Sequence, residues 1–229
     1  MEFQPPYSPD ISNSRKFIST LTGLTAELNK FRILNGLEYT RRLQKLFFDC
    51  QSSYLSAQQA EHYKEDSLFW AFQKSVISPL WNLNLLFDLG SFIKEFNIFK
   101  LPIGIIEPLK ITEFAIDFDY MGPSLLWDNS IKPTFPALAV PFPVGENRSL
   151  LIDGNHRLTA AINSKLPTFS VSFASAKQFN RFIVGDFQKN YYALINRRIF
   201  WMYFQRSTNF RPLTIDLEEE FSTYFFFPT

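Results

Sequence analysis

The stretch LLIDGNHRLTAA, Leu150 to Ala161, decides how this chain is read. An apolar run stops at Asp153-Gly154, and His156 and Arg157 then open a segment with the composition of a helix. A strand that ends in glycine and passes straight into a helix exposes that helix's first unpaired backbone amides. The positive end of the helix dipole lies at the same place, which makes a ready site for an anion. Gly154 permits the sharp turn and lets a ligand approach the backbone. Arg157 brings a planar guanidinium that grips phosphate oxygens in pairs. His156 donates a hydrogen bond and adds charge when protonated. Asp153 suits a helix cap, a metal ion or a sugar hydroxyl. The same residues also make an ordinary capped turn with a solvated histidine and arginine in its first turn, and spacing alone leaves both readings open.

Outward from this turn, ALAVPF and RSLLI read as short apolar strands separated by the turn-like PVGEN. NHRLTAAINSK reads as a helix and LPTFSVSF as a further strand. An earlier strand region falls near residues 103 to 118, where Phe114, Ile116 and Phe118 alternate with Ala115 and Asp117. Strands alternating with a helix imply a small sheet with the helix packed on it. MGPSLLWDNSIKPTFP, between these strands, is rich in turn residues and reads as a long loop.

Before residue 100 the apolar spacing is helical. Phe17, Leu21, Leu24, Leu28 and Phe31 mark one face of a first helix, which Asn35-Gly36 ends. Tyr39, Leu43, Leu46, Cys50, Tyr54 and Ala57 mark the stripe of a second. A third is expected over Ser67–Ser78, stopped by Pro79. In WNLNLLFDLG the alternation of Trp81, Leu83, Leu85, Phe87 and Leu89 is strand-like, but its neighbours favour a helix, which is the reading adopted. From Lys177 to about Arg206 one long helix is expected, with Ile183, Phe187, Tyr191, Ile195 and Ile199 on one face. Lys177, Arg181, Lys189 and Arg197 fall on the opposite face. Such a basic row can follow a nucleic-acid backbone, with Phe182, Tyr192, Trp201 and Phe204 as stacking surfaces. It equally describes a helix whose rings fill the core while its cations face water.

The sequence from Pro136 to Phe173 resembles the ParB N-terminal/sulfiredoxin-like superfamily. The resemblance rests on Gly154, Asn155, His156 and Arg157 as a Gly-x-x-Arg motif, on Ala160-Ala161 in the following helix, and on Leu166-Pro167 before the next strand. It extends over residues 101–175. The expected architecture is α+β: a helical N-terminal region (1–100), a small ParB/sulfiredoxin-like α/β domain (101–175), and a long C-terminal amphipathic helix with its tail (176–229). The resemblance implies that the motif binds nucleotide phosphates, so Gly154, Asn155, His156 and Arg157 are the candidate binding residues. The implied ligand is a nucleoside triphosphate or diphosphate, carried with Mg²⁺. Sulfiredoxins place a reactive cysteine where this chain has Asn155, so sulfinic-acid reduction by that chemistry is not expected. Partition proteins of the superfamily carry an Arg-rich motif with a downstream helix-turn-helix domain, for which too little sequence follows. Its free-serine kinases use a separate acidic residue as base. Here Asp153 and His156 at the turn, with Glu107 upstream, are the catalytic candidates for phosphoryl transfer or nucleotide hydrolysis. Glu113, Asp117 and Asp119 are further upstream acids, each equally well read as a solvated carboxylate.

Composition narrows the remaining classes. The 229 residues carry a formal charge of +1, so bulk electrostatics select no partner. A single cysteine, Cys50, permits neither an intramolecular disulfide nor a cysteine-based zinc site, and no metal-ligand spacing is present. The 27 phenylalanines raise aromatic content to 17%. No apolar run reaches the roughly 18 residues of a membrane span, and the start MEFQPPYSPD is no secretory signal. A cytoplasmic, membrane-free protein is expected, with nucleotide or nucleic acid as partner and the N-terminal helices available to a protein partner; a non-catalytic interaction module that retains the fold alone is the remaining alternative. His62 reads as a surface residue, and Glu146 and Arg148 as a surface pair in a turn.

Overall fold

In a computed structural model the described residues are 35–54, 71–77, 82–126, 136–142, 149–197 and 214–227. Their elements run α1 (Gly36–Asp49), β1 (Ala71–Ile77), β2 (Asn82–Asp88), α2 (Leu89–Glu95), β3 (Ile103–Ile106), β4 (Ile116–Asp117) and β5 (Ala137–Pro141). They continue with β6 (Ser149–Asp153), α3 (Asn155–Asn163), β7 (Phe169–Phe173), α4 (Ala176–Phe179), α5 (Asp186–Ile195) and α6 (Leu217–Tyr224). The class is α+β, with a two-stranded sheet of β1 and β2 and a mixed five-stranded sheet ordered β3-β7-β5-β6-β4. The chain divides into two compact units.

The unit holding the five-stranded sheet also contains α2, α3 and α4. β5 and β6 pair antiparallel, β5 and β7 parallel, β3 and β7 antiparallel, and β4 and β6 parallel. Ala137, Ala139, Leu151 and Val171, on one face of the sheet, share a buried cluster with Leu158 and Ala161 of α3. The alanines are needed there, since two small side chains let the helix lie close to the strands. Leu138, Val140, Leu150 and Ile152 on the other face are buried as well, so the central strands read as unbroken apolar runs. The same unit packs an aromatic cluster centred on Phe92, whose ring lies 4.6 Å from Phe179, 4.9 Å from Phe96 and 5.3 Å from Phe182.

In the other unit α1 buries Tyr39, Leu43, Leu46 and Phe47. Phe187 of α5 meets Phe47 at 5.1 Å and Tyr54 at 5.3 Å. Glu220 of α6, 7% exposed, receives two bonds from Arg197 (2.7 and 2.6 Å) and one from the Tyr39 hydroxyl at 3.3 Å. A buried carboxylate requires such partners, because an unpaired charge out of water costs several kcal/mol.

Four sequence expectations are corrected. Residues 71–77 form a strand rather than the expected third helix, and Asn82–Asp88 form β2 rather than a helix. Each strand completes the other's backbone bonding, and the Leu83-Leu85-Phe87 alternation was the better local signal. The region 103–118 is not one strand. Pro108 starts a 3-10 turn over Pro108–Phe114, which ends where Ala115 takes a left-handed φ of 51°. The long helix from Lys177 is absent. It is broken into α4, a 3-10 turn and α5, and the helix near the C-terminus, α6, has eight residues. Gly185 breaks it, at a φ of 84° that no helix interior adopts; an added Cβ there would lie 2.9 Å from the Ser53 carbonyl oxygen. The expected helix over 17–31, Ala57, and residues 198–206 lie outside the described residues. Asn35-Gly36 stands at the start of α1, where the Asn35 side chain bonds both backbone groups of Ile215.

Phe92→Ala is expected to cost about 3–5 kcal/mol, the usual loss for a fully buried ring. Phe99→Ala, at a half-exposed ring, should stay within about 0.5 kcal/mol. Urea unfolding of the two variants checks the difference.

Candidate functional site

β6 delivers Asp153 to one end of the sheet, and the chain turns there through Gly154 into α3. Gly154 has a φ of 94°, a region open to glycine and strained for other residues. Space makes the same demand: a Cβ at Gly154 would stand 2.5 Å from the Ala137 Cβ and 3.2 Å from Arg157 Nη2. Gly154 is also the N-cap of α3, so no side chain caps the helix. The first helical bond runs from Leu158 N–H to the Gly154 carbonyl at 2.8 Å. The amides ahead of it project from the helix end, in the half-charge of the dipole.

Arg157 is held beside this turn. Its Nη2 donates to Asp153 Oδ2 at 2.9 Å, with both side chains largely shielded from water. The pair spans one helical turn and fixes the guanidinium against the glycine backbone. His156 is exposed and extends from the first turn into solvent. The turn thus carries a glycine backbone, an oriented arginine and an exposed histidine within four consecutive residues.

Asn155 has a role the sequence reading did not anticipate. Its Nδ2 donates to the Leu151 carbonyl at 3.2 Å, and its Oδ1 accepts from Asp119 N–H at 2.8 Å. Thr159, one turn on, accepts from Met121 N–H at 3.1 Å. Asn163, a further turn on, accepts from the Tyr120 hydroxyl at 2.7 Å and donates to the carbonyls of Gly122, Pro123 and Leu125. Three polar residues spaced by four therefore strap residues 119–125 along α3. The signal was present as the Asn-Thr-Asn row, which a search confined to the motif passes over. The strap brings the backbone of Asp119 to the start of α3.

The other candidates are dispersed. Glu107 follows β3, which ends on the same side of the sheet as β6, because Ile106 pairs with Phe169 and Asp153 with Leu138. Two strands, β7 and β5, stand between them. β3 and β6 are three spacings apart, roughly 14 Å, and Ile103 rather than Glu107 is level with Asp153 across the sheet. Glu107 is instead paired with Lys110 at 3.0 Å. Glu113 is exposed, on the 3-10 turn. The basic row is not one helix face, since the expected helix is broken. Lys177 and Arg181 belong to the unit with the five-stranded sheet, and Lys189 and Arg197 to the other. Arg181 pairs with Glu95, Lys189 with Asp186 and Arg197 with Glu220. His62, Glu146 and Arg148 lie outside the described residues.

Cys50 is buried and accepts from Asn190 Nδ2 at 3.3 Å; burial pushes its thiol up to about 11. It stays protonated at neutral pH, which removes it as a nucleophile. Among the described residues no three His, Cys, Asp or Glu side chains are grouped to hold a metal ion. No helix among them is long and apolar enough to cross a membrane. Comparison with family models, curated proteins and solved structures finds no match for the chain.

Gly154→Ala is expected to destabilise by about 2–4 kcal/mol, since it joins left-handed strain to a clash with Ala137. Chemical denaturation measures the loss. A cost under about 0.5 kcal/mol, the range of a neutral surface change, would mean that the turn has room to relax.

Proposed function

We propose that this chain is a nucleotide-binding protein of the ParB/sulfiredoxin-like type, with the turn from Asp153 to Arg157 as its phosphate site. The observation that carries the reading is the N-cap of α3. Its glycine leaves the first-turn amides without a side-chain cap, beside an arginine already oriented by Asp153. A phosphate placed there meets backbone N–H groups, the helix dipole and a guanidinium together. The order strand, turn, helix, strand over β6, α3 and β7 agrees with the superfamily resemblance, as does the connection through Leu166-Pro167.

In this reading the ligand is a nucleoside triphosphate or diphosphate, with Mg²⁺ held mainly by the phosphates themselves. Gly154 and the amides of Asn155 and His156 receive the oxygens, and Arg157 neutralises charge. The Asn155 side chain acts indirectly, by fixing the turn. Should the protein turn its ligand over, the reaction is phosphoryl transfer or nucleotide hydrolysis, where positioning and charge neutralisation dominate. In this reading Asp153 and His156 are the residues assigned to orient a reacting oxygen. Glu107 stands too far along the sheet edge to share that task. A nucleic-acid backbone is the second ligand class offering the same phosphate chemistry, but Arg181, Lys189 and Arg197 of the basic row are already ion-paired.

Thermal unfolding with ATP, CTP or GTP and Mg²⁺ tests the proposal. A ligand at about 100 times its Kd adds about 2.7 kcal/mol, which at this chain length raises Tm by several degrees. Arg157→Ala, referred to its own unliganded Tm, should lose most of that rise, and His156→Ala part of it. No rise with any nucleotide rejects nucleotide binding, and an undiminished rise in Arg157→Ala rejects the site.

A further inference from the structure

β3 is an edge strand, paired with β7 on one side and with no described strand on the other. The bond from Phe173 N–H to the Pro102 carbonyl, 2.9 Å, fixes the phase of this ladder. Alternate residues of an antiparallel pair turn their backbone groups toward the neighbour. Gly104 and Ile106 therefore face β7, and the N–H and C=O groups of Ile103 and Ile105 point out of the sheet. They have no partner among the described residues. The side chains of Ile103 and Ile105 share one face, opposite Ser172 and Ser170, and are 48% and 68% exposed. Edge strands are normally blunted by charge, proline, a bulge or shortness. The opposite edge follows that rule, since β4 has two residues, one of them Asp117. β3 has four, Ile-Gly-Ile-Ile, and no charge.

We propose that this edge is a dimerisation surface, occupied by β3 of a second copy running antiparallel about a twofold axis at Gly104. Self-complementarity selects the second copy. Ile103-Gly104-Ile105 reads the same in both directions, so the axis sets Ile103 against Ile105 of the partner subunit and the reverse. Both are hydrogen-bonded positions, and they satisfy every outward backbone group of Ile103 and Ile105 with four bonds. The central narrow pair is glycine against glycine, so no side chain holds the strands apart. Four isoleucines meet across the strands on one face, the cross-strand contact that stabilises sheets. The two five-stranded sheets become one continuous sheet.

Sedimentation velocity of the full chain over a wide concentration range provides the test. Wild type is expected to pass from monomer to dimer. Ile105→Lys, whose side chain remains in solvent and leaves the fold intact, should raise the dissociation constant at least about tenfold by charging the edge. Register is read by oxidation. Mixing Ile103→Cys chains with Ile105→Cys chains should give a mixed disulfide, because paired Cα atoms stand about 5.5 Å apart. Each variant alone should stay uncross-linked, and buried Cys50 does not interfere. Wild type that remains monomeric throughout would overturn the proposal, as would a dimer indifferent to Ile105→Lys or cross-links indifferent to register. A heterologous peptide binding β3 of a persistently monomeric chain also counts against it.

Discussion

The side-chain amide of Asn155 ties together the three elements on which the candidate site depends. Its donor end holds the middle of β6 through the Leu151 carbonyl, and its acceptor end holds the chain leaving β4 through Asp119 N–H. Because Asn155 is also the first residue of α3, the helix start is pinned to the sheet and to the strap at once. An aspartate there has no donor for Leu151, and a leucine meets neither need. A buried polar group with both ends satisfied rigidifies its surroundings, whereas a half-satisfied one costs about 1–3 kcal/mol.

Around that anchor, Gly154 and Arg157 follow from geometry. The chain reverses from strand to helix against Ala137, which excludes any Cβ and demands a positive φ. The same absence of a side chain leaves the helix without a cap from its N-cap residue. Asp153 then has one helical turn in which to find Arg157, and the pair it makes prevents the guanidinium from dispersing into solvent. In the proposed reading stability and anion binding share residues: the glycine that the fold needs is the one that a phosphate would meet.

Much of the sheet unit was legible in the sequence. β5, β6, α3 and β7 fall where the apolar runs and the Asp-Gly turn place them, because local pattern and tertiary packing agree there. The failures have particular causes. β1 and β2 depend on each other for bonding, a non-local gain that helical neighbours obscured. The apolar row Ile183, Phe187, Tyr191, Ile195 is buried as its spacing implied, but the row did not reveal that Gly185 breaks the helix between its first two members. The strap over α3 went unread because Asn155, Thr159 and Asn163 bond to a loop some forty residues earlier. Sequence spacing along a helix marks which residues share a face and is silent about what covers it.

In the proposed reading an anion lies against the backbone of one turn, and amide chemical shifts report on that backbone residue by residue. Two-dimensional ¹⁵N–¹H spectra recorded during a titration with Mg²⁺–ATP and Mg²⁺–CTP are the most direct measurement. The predicted result is saturable displacement of the Asn155, His156 and Arg157 amides, with Asp119 following through its bond to Asn155. Unchanged amides at 155–157, or saturable shifts confined to residues away from this turn, would contradict it.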